Sequence, residues 1–164
     1  MSNDRNSPNT AGSRGGKYLT FVLATEEYGF EILKVREIIG LMDITRVPSM
    51  PSYVVGVINL RGKVIPVVDL RLKFSMDSTE HTSETCIIVV DVHGQLMGVV
   101  VDKVSEVLDI RAADIEDAPG VGAAVDTQFI LGMAKAKGSV KILLDVNQVL
   151  SEAEQADVLS AAMA

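Results

Sequence analysis

From Lys17 onward, short Val-, Ile- and Leu-rich runs alternate with Gly, Pro, Asp and polar pairs. This spacing predicts the β-strands of a barrel or sandwich, with little helix before the C-terminus. Residues 18–23 and 30–39 flank Ala24-Thr25-Glu26-Glu27-Tyr28-Gly29, which reads as a hairpin turn with Glu26 and Glu27 in solvent. Three more hairpins follow: 57–60 with 64–70 around Arg61-Gly62-Lys63, 85–92 with 96–107 around His93-Gly94-Gln95, and 129–136 with 140–146 around Lys137-Gly138-Ser139. A strand with one dry face alternates apolar and polar residues, yet Ile87-Ile88-Val89-Val90 and Val99-Val100-Val101 are apolar throughout. Both faces of these strands must therefore be covered. Residues 147–164 set Val149, Leu150, Ala153, Ala156, Val158 and Leu159 among polar neighbours, and Ser151-Glu152-Ala153-Glu154 fits a capping box. A C-terminal helix with one face on the sheet structure is expected.

The hairpins repeat. Gly29, Lys34, Val35 and Glu37 recur 69 positions later as Gly98, Lys103, Val104 and Glu106, while Gly56, Gly62 and Asp69 recur 76 positions later as Gly132, Gly138 and Asp145. The change of offset puts seven extra residues into the second copy within 109–129, where Pro119-Gly120-Val121-Gly122 marks a loop. Each copy reads as one small closed sheet of about five strands, with lobes near 17–75 and 85–146. Neither is large enough to be comfortable alone, so an apolar seam shared by the two is expected. One face of each doubly apolar strand would fill its own barrel and the other would meet the seam.

With 48% apolar and 23% charged residues in 164, the chain has the composition of a packed domain and not of a disordered one. Its 15 basic and 22 acidic residues leave a net charge of −7, which repels phosphate backbones, and 4% aromatics without Trp leave few platforms for base stacking. On these grounds nucleic acid is not expected as a partner. No apolar run reaches the roughly 20 residues of a membrane helix, so direct membrane insertion is not expected. Residues 1–16 lack the apolar middle of a secretory signal and read as a flexible tail.

Catalytic chemistry finds little support. The single cysteine, Cys86, with only His81 and His93 beside it, supplies neither a disulfide nor a His/Cys metal centre, and the cytoplasm is the simplest compartment. Cys86 and His93 are an odd number of residues apart and so face opposite sides of a strand, which argues against a thiol–imidazole pair. Gly120-Val121-Gly122 follows a proline instead of a strand, unlike a dinucleotide loop, and Asp114, Glu116 and Asp117 lack the spacing of a calcium loop. Met42, Met50, Met76, Met97 and Met133 read as gap-fillers in the core. No catalytic residue, cofactor or metal is assigned.

More informative are two charges in apolar surroundings. Glu37 ends an apolar strand, and Arg61 tips a hairpin whose flanks are almost uncharged. Three readings stand together: Arg61 is a solvated turn residue, an interface anchor on a rigid tip, or the partner of Glu37 in an ion pair that shapes a loop.

Tyr28-Gly29-Phe30-Glu31-Ile32-Leu33-Lys34-Val35-Arg36-Glu37-Ile38, Thr45-Arg46-Val47-Pro48, the hairpin from Gly56-Val57-Ile58-Asn59-Leu60-Arg61-Gly62 through Pro66-Val67-Val68-Asp69-Leu70, and Gly98-Val99-Val100-Val101-Asp102-Lys103-Val104 together resemble the CheW family of chemotaxis coupling proteins. The likeness covers residues 17–150. It implies a mainly β fold of two intertwined five-stranded SH3-like barrels with a C-terminal helix and tail at 147–164. It further implies a non-enzymatic adaptor without cofactor, cytoplasmic and recruited to membrane receptor arrays. The implied partners are the cytoplasmic signalling tip of methyl-accepting chemoreceptors, the regulatory domain of the histidine kinase CheA, and further copies of the adaptor in arrays. By the same resemblance, Val35, Glu37, Gly56 and Arg61 match kinase or receptor contacts, and Ile87, Val104 and Val107 match an apolar receptor groove. Two other classes compete: a small barrel enzyme or ligand binder, which needs convergent polar groups at the seam, and an OB-like nucleic-acid binder, which needs a basic aromatic face.

Overall fold

Three of the four hairpin turns are two-residue turns in which both residues adopt positive φ: Arg61-Gly62, His93-Gly94 and Lys137-Gly138. This geometry matches the twist of the strands it joins. The strands, in a computed structural model that describes residues 14–117 and 127–163, are β1 (Gly16–Leu23), β2 (Glu26–Glu31), β3 (Val35–Gly40), β4 (Val54–Leu60), β5 (Lys63–Asp69), β6 (Cys86–Val92), β7 (Gln95–Val101), β8 (Lys103–Ile110), β9 (Ile115–Glu116), β10 (Ile130–Ala136) and β11 (Ser139–Leu144), with helices α1 (Leu70–Lys73) and α2 (Glu152–Met163). Most of the expected N-terminal tail and the Gly120-Val121-Gly122 loop lie outside the described residues.

The structure revises the expected strands in two ways. The first hairpin turns at Ala24-Thr25 alone, and Glu26 and Glu27 begin β2, whose Tyr28, Gly29 and Phe30 are buried. The runs 30–39 and 96–107 each break, at the 3-10 turn Ile32–Lys34 and at Asp102, and the two pieces of each enter different sheets. An apolar β pattern does not mark such a switch, because burial is required on both sides of it.

One sheet runs β8-β1-β2-β11-β10-β9 and the other β3-β6-β7-β5-β4. Each therefore combines strands from both copies of the repeat, and the lobes follow the sheets instead of the contiguous segments 17–75 and 85–146. The copies join through two equivalent parallel pairings, β2 with β11 (Gly29 opposite Leu143) and β7 with β5 (Gly98 opposite Val67). Closure is also repeated. Past β3 the chain returns to β4 through Thr45 and Val57, whose backbones exchange hydrogen bonds of 2.8 and 2.9 Å; past β8, β9 returns to β10.

Three apolar clusters result. Ile58, Leu60, Ile65, Val67, Ile87, Val89 and Val100 fill one barrel, and Tyr18, Leu108, Ile110, Ile115, Ala134 and Leu143 fill the other. Between them lies the seam, where Phe21, Tyr28 and Phe30 of the first sheet meet Ile88, Val90, Met97 and Val99 of the second. Phe21 and Phe30 pack with ring centroids 4.8 Å apart. The doubly apolar β6 is explained directly: Ile87 and Val89 point into the barrel while Ile88 and Val90 face the seam.

Short polar motifs close the strand ends. Asp69 caps α1 by accepting from the Arg71 amide at 2.9 Å, and the repeated Asp145 accepts from the Asn147 amide at 3.0 Å. The expected capping box forms, with the Ser151 amide donating to Glu154 at 2.9 Å and the Glu154 amide to the Ser151 hydroxyl at 3.0 Å. Beyond it, α2 docks through buried Gln155 and Val158, and the Tyr53 hydroxyl donates to Glu154 at 2.6 Å.

A mostly buried ion pair ties α1 to the β7–β8 switch. Arg71 Nε and Nη2 donate to Asp102 at 2.8 and 2.7 Å, and Asp102 also accepts from the Ala24 amide at 2.8 Å. Burial alone would raise the Asp102 pKa, but these hydrogen bonds outweigh it and hold the carboxyl below its ordinary 3.8. A depressed carboxylate stabilises the fold above its unfolded pKa, and that contribution is lost as pH falls through the folded value. Asp102→Asn should cost about 2 kcal/mol at neutral pH. Denaturant midpoints should show this gap to the parent starting to close near pH ~3.8, the unfolded value, and closing fully as pH falls through the lower folded one.

Candidate functional site

Glu37 lies on β3 and Arg61 opens the turn between β4 and β5, 24 residues later. The structure pairs them: Arg61 Nη2 donates to Glu37 Oε2, with side chains 68% and 32% exposed. This selects the ion-pair reading of Arg61 while leaving much of its guanidinium open to solvent. The turn is rigid for a local reason. Arg61 and Gly62 both take positive φ, and the Asn59 side chain accepts from the Gly62 amide at 2.8 Å. Arg61 is thus displayed on a fixed tip whose charge is held by a carboxylate from a neighbouring strand.

Gly56 supports this surface without belonging to it. It is buried on β4 at φ +145°, and a Cβ there would stand 2.1 Å from the Thr45 carbonyl oxygen. Only glycine lets β4 approach closely enough for the Thr45–Val57 closure. Its expected place among contact residues is therefore revised to a positioning one. Val35 is half-buried against the seam cluster. Ile38 on β3, and Leu41 and Met42 just beyond it, are exposed, so Met42 is not the core gap-filler its composition suggested. Arg36 donates to Asp91 at 2.6 Å across β3 and β6, and this bond holds the Asp91 carboxyl below its ordinary range.

The expected groove residues separate. Val107 is exposed on β8, and Val104 is half-buried against the seam. Ile87 is 0% exposed inside the second barrel, so it is corrected to a core residue that reaches no partner. Cys86 lies at the opposite end of β6 from the His93 turn, and burial pushes its thiol pKa up, away from the reactive thiolate. His93 instead directs Nε2 to the carbonyl oxygens of Asn147 and Leu150, at 3.3 and 3.2 Å. Because both partners only accept, this nitrogen carries the proton. Among the described residues, no group of three His, Cys, Asp or Glu is arranged to hold a metal ion.

A family model described as the CheW-like domain matches residues 17–154. The chain belongs to the CheW-like domain family. It is 38% identical to the chemotaxis protein CheW of Klebsiella aerogenes over 142 residues, covering 87% of this chain and 86% of that relative. To its counterpart in Bacillus subtilis it is 35% identical, covering 84% and 88%. Among solved structures, the scaffolding protein TtCheW from Thermoanaerobacter tengcongensis matches with a TM-score of 0.78 at 36% identity, covering 84% of this chain and 88% of that one. The two barrels and C-terminal helix are those of a CheW-like chemotaxis scaffold.

One feature of this CheW-like chain escapes a linear reading. The exposed Ile38, Leu41 and Met42 carry no periodicity that separates them from core residues. The repeat, in contrast, held a usable signal: Glu37 and Arg61 map onto Glu106 and Lys137, and those two also pair, at 3.2 Å.

Proposed function

We propose that the chain is a non-enzymatic adaptor that couples methyl-accepting chemoreceptors to the histidine kinase CheA, so that receptor state controls kinase autophosphorylation. The observation that carries this reading is the Glu37–Arg61 pair, which displays a largely exposed arginine on a hydrogen-bonded hairpin turn. Arginine is enriched among interface hot spots, and here it stands at the tip of a short turn fixed by the Asn59 side chain. Family membership supplies the signalling context. Val35 and Gly56 support the surface from beneath, Val104 and Val107 on β8 serve the receptor tip, and further adaptor copies join in arrays. The barrel-enzyme alternative needs convergent polar groups at the seam, and the described buried side chains there are apolar but for the Tyr28 hydroxyl and Gln155, whose amide donates to the Val92 carbonyl. No described helix is long and apolar enough to cross a membrane, in keeping with a cytoplasmic adaptor recruited to membrane receptor arrays.

The test is CheA autophosphorylation with receptor fragments, with and without this chain. An increase that requires both receptor and chain is expected; no change, with a folded protein that binds neither partner, rejects the reading. A narrower result is expected at β8. With 48% of its surface exposed, Val107 should accept Asp without unfolding, and Val107→Asp should weaken pull-down by receptor fragments about tenfold while its melting curve stays near that of the parent. Val104→Asp, against the seam, should lose stability instead.

A further inference from the structure

The two parallel joins between the copies are equivalent in register but opposite in chemistry. In the β2–β11 join, Glu27 stands opposite Lys141, which is 4% exposed, donates to the Ser139 hydroxyl at 2.5 Å and forms an ion pair with Glu27. By the repeat offsets, the matching positions in the β7–β5 join are Leu96 and Ile65, both in the apolar filling of the second barrel. The surroundings differ in the same sense. Ile58 and Leu60 of that barrel correspond to Ala134 and Ala136 in the first, which leaves room for a lysine stem. Glu27, one-third exposed, is thus paired with a buried lysine and is not the free turn residue its sequence neighbours suggest.

We infer that the Glu27–Lys141 pair selects the intertwined topology over closure of each copy upon itself. Because the joins share a register, the backbone alone does not distinguish β2 beside β11 from β2 beside β5, or β7 beside β5 from β7 beside β11. The side chains do. Self-closure puts Glu27, a third of whose side chain is exposed, against Ile65 and buried Lys141 against Leu96, so both charges lose their partner and the lysine does so inside a barrel. In the observed arrangement one barrel is wholly apolar at this position and the other is matched in charge. A buried ion pair adds little stability over an apolar pair of similar size, but a lone buried charge is strongly disfavoured. The pair therefore acts by penalising the wrong partner, as polar residues fix register in coiled coils.

Cross-linking of the refolded full-length chain tests this, with Cys86→Ser as background. Glu26→Cys with Val140→Cys reports β2 beside β11, and Glu26→Cys with Val64→Cys reports the alternative. The parent should give the first cross-link only. Glu27→Leu with Lys141→Ile, which copies the apolar pair of the other barrel, should give both, with a corresponding loss of native yield. The reversed pair, Glu27→Lys with Lys141→Glu, should give the first alone. If the apolar variant forms only the β2–β11 cross-link at parental yield, the inference is overturned. Failure of the apolar variant to fold overturns it as well, because the pair would then supply stability instead of selecting a topology.

Discussion

Gly56→Ala should lower stability by at least about 3 kcal/mol and the thermal midpoint by roughly 6–12 °C. The added Cβ would stand 2.1 Å from the Thr45 carbonyl oxygen and 2.8 Å from its carbon, and both are backbone atoms that cannot rotate away. Relief requires β4 to leave Thr45, which opens the hydrogen-bonded bridge that closes the second barrel. The Arg61 tip is carried by β4, so the docking surface should loosen together with the core. Gly62→Ala is the control, since it also introduces a side chain at positive φ but meets nothing within 4 Å. It should cost only about 1 kcal/mol. Thermal melts of the two variants separate crowding from backbone strain, and equal losses would refute the crowding argument.

The second large effect is on binding. Arg61→Glu replaces an attractive pair with two facing carboxylates, yet both side chains are open to solvent and no apolar cluster depends on them. Far-UV circular dichroism should match the parent, while capture by the kinase regulatory domain or receptor fragments falls about tenfold or more. Combining it with Glu37→Arg distinguishes two causes. If the pair matters only because it shapes the hairpin, the swapped pair restores binding; if a partner reads the positive charge at the tip, it does not. Unchanged binding by folded Arg61→Glu would remove the surface from the proposed function.

How much of this was legible in the sequence depended on the range of each interaction. Turns such as Arg61-Gly62 and the Ser151–Glu154 box involve groups within a few residues, so their chemistry is written in adjacent letters. The repeat made the two-barrel architecture readable, and the unbroken apolar runs of β6 and β7 announced a seam. The Glu37–Arg61 pair stood among three readings because nothing in a linear pattern states which strand returns beside β3. Ile87 was misplaced for a related reason: residues 87–90 are apolar at every position, and only the pairing of β6 with β3 and β7 tells barrel interior from seam.

By itself, the sequence determined strand content, tight turns, the capped C-terminal helix, an internally repeated fold and membership of a chemotaxis scaffold family, all of which follow from local periodicity, backbone preference and recurring motifs. The tertiary structure alone decided that the lobes exchange strands between copies, that Gly56 is a packing requirement, that Glu27 pairs with a buried lysine and that Met42 faces solvent. The contacts among these depend on which residues meet across eleven positions of chain, as Thr45 and Gly56 do, to more than 100. That choice is made by the summed burial and charge matching of whole sheets, which no short window of sequence contains.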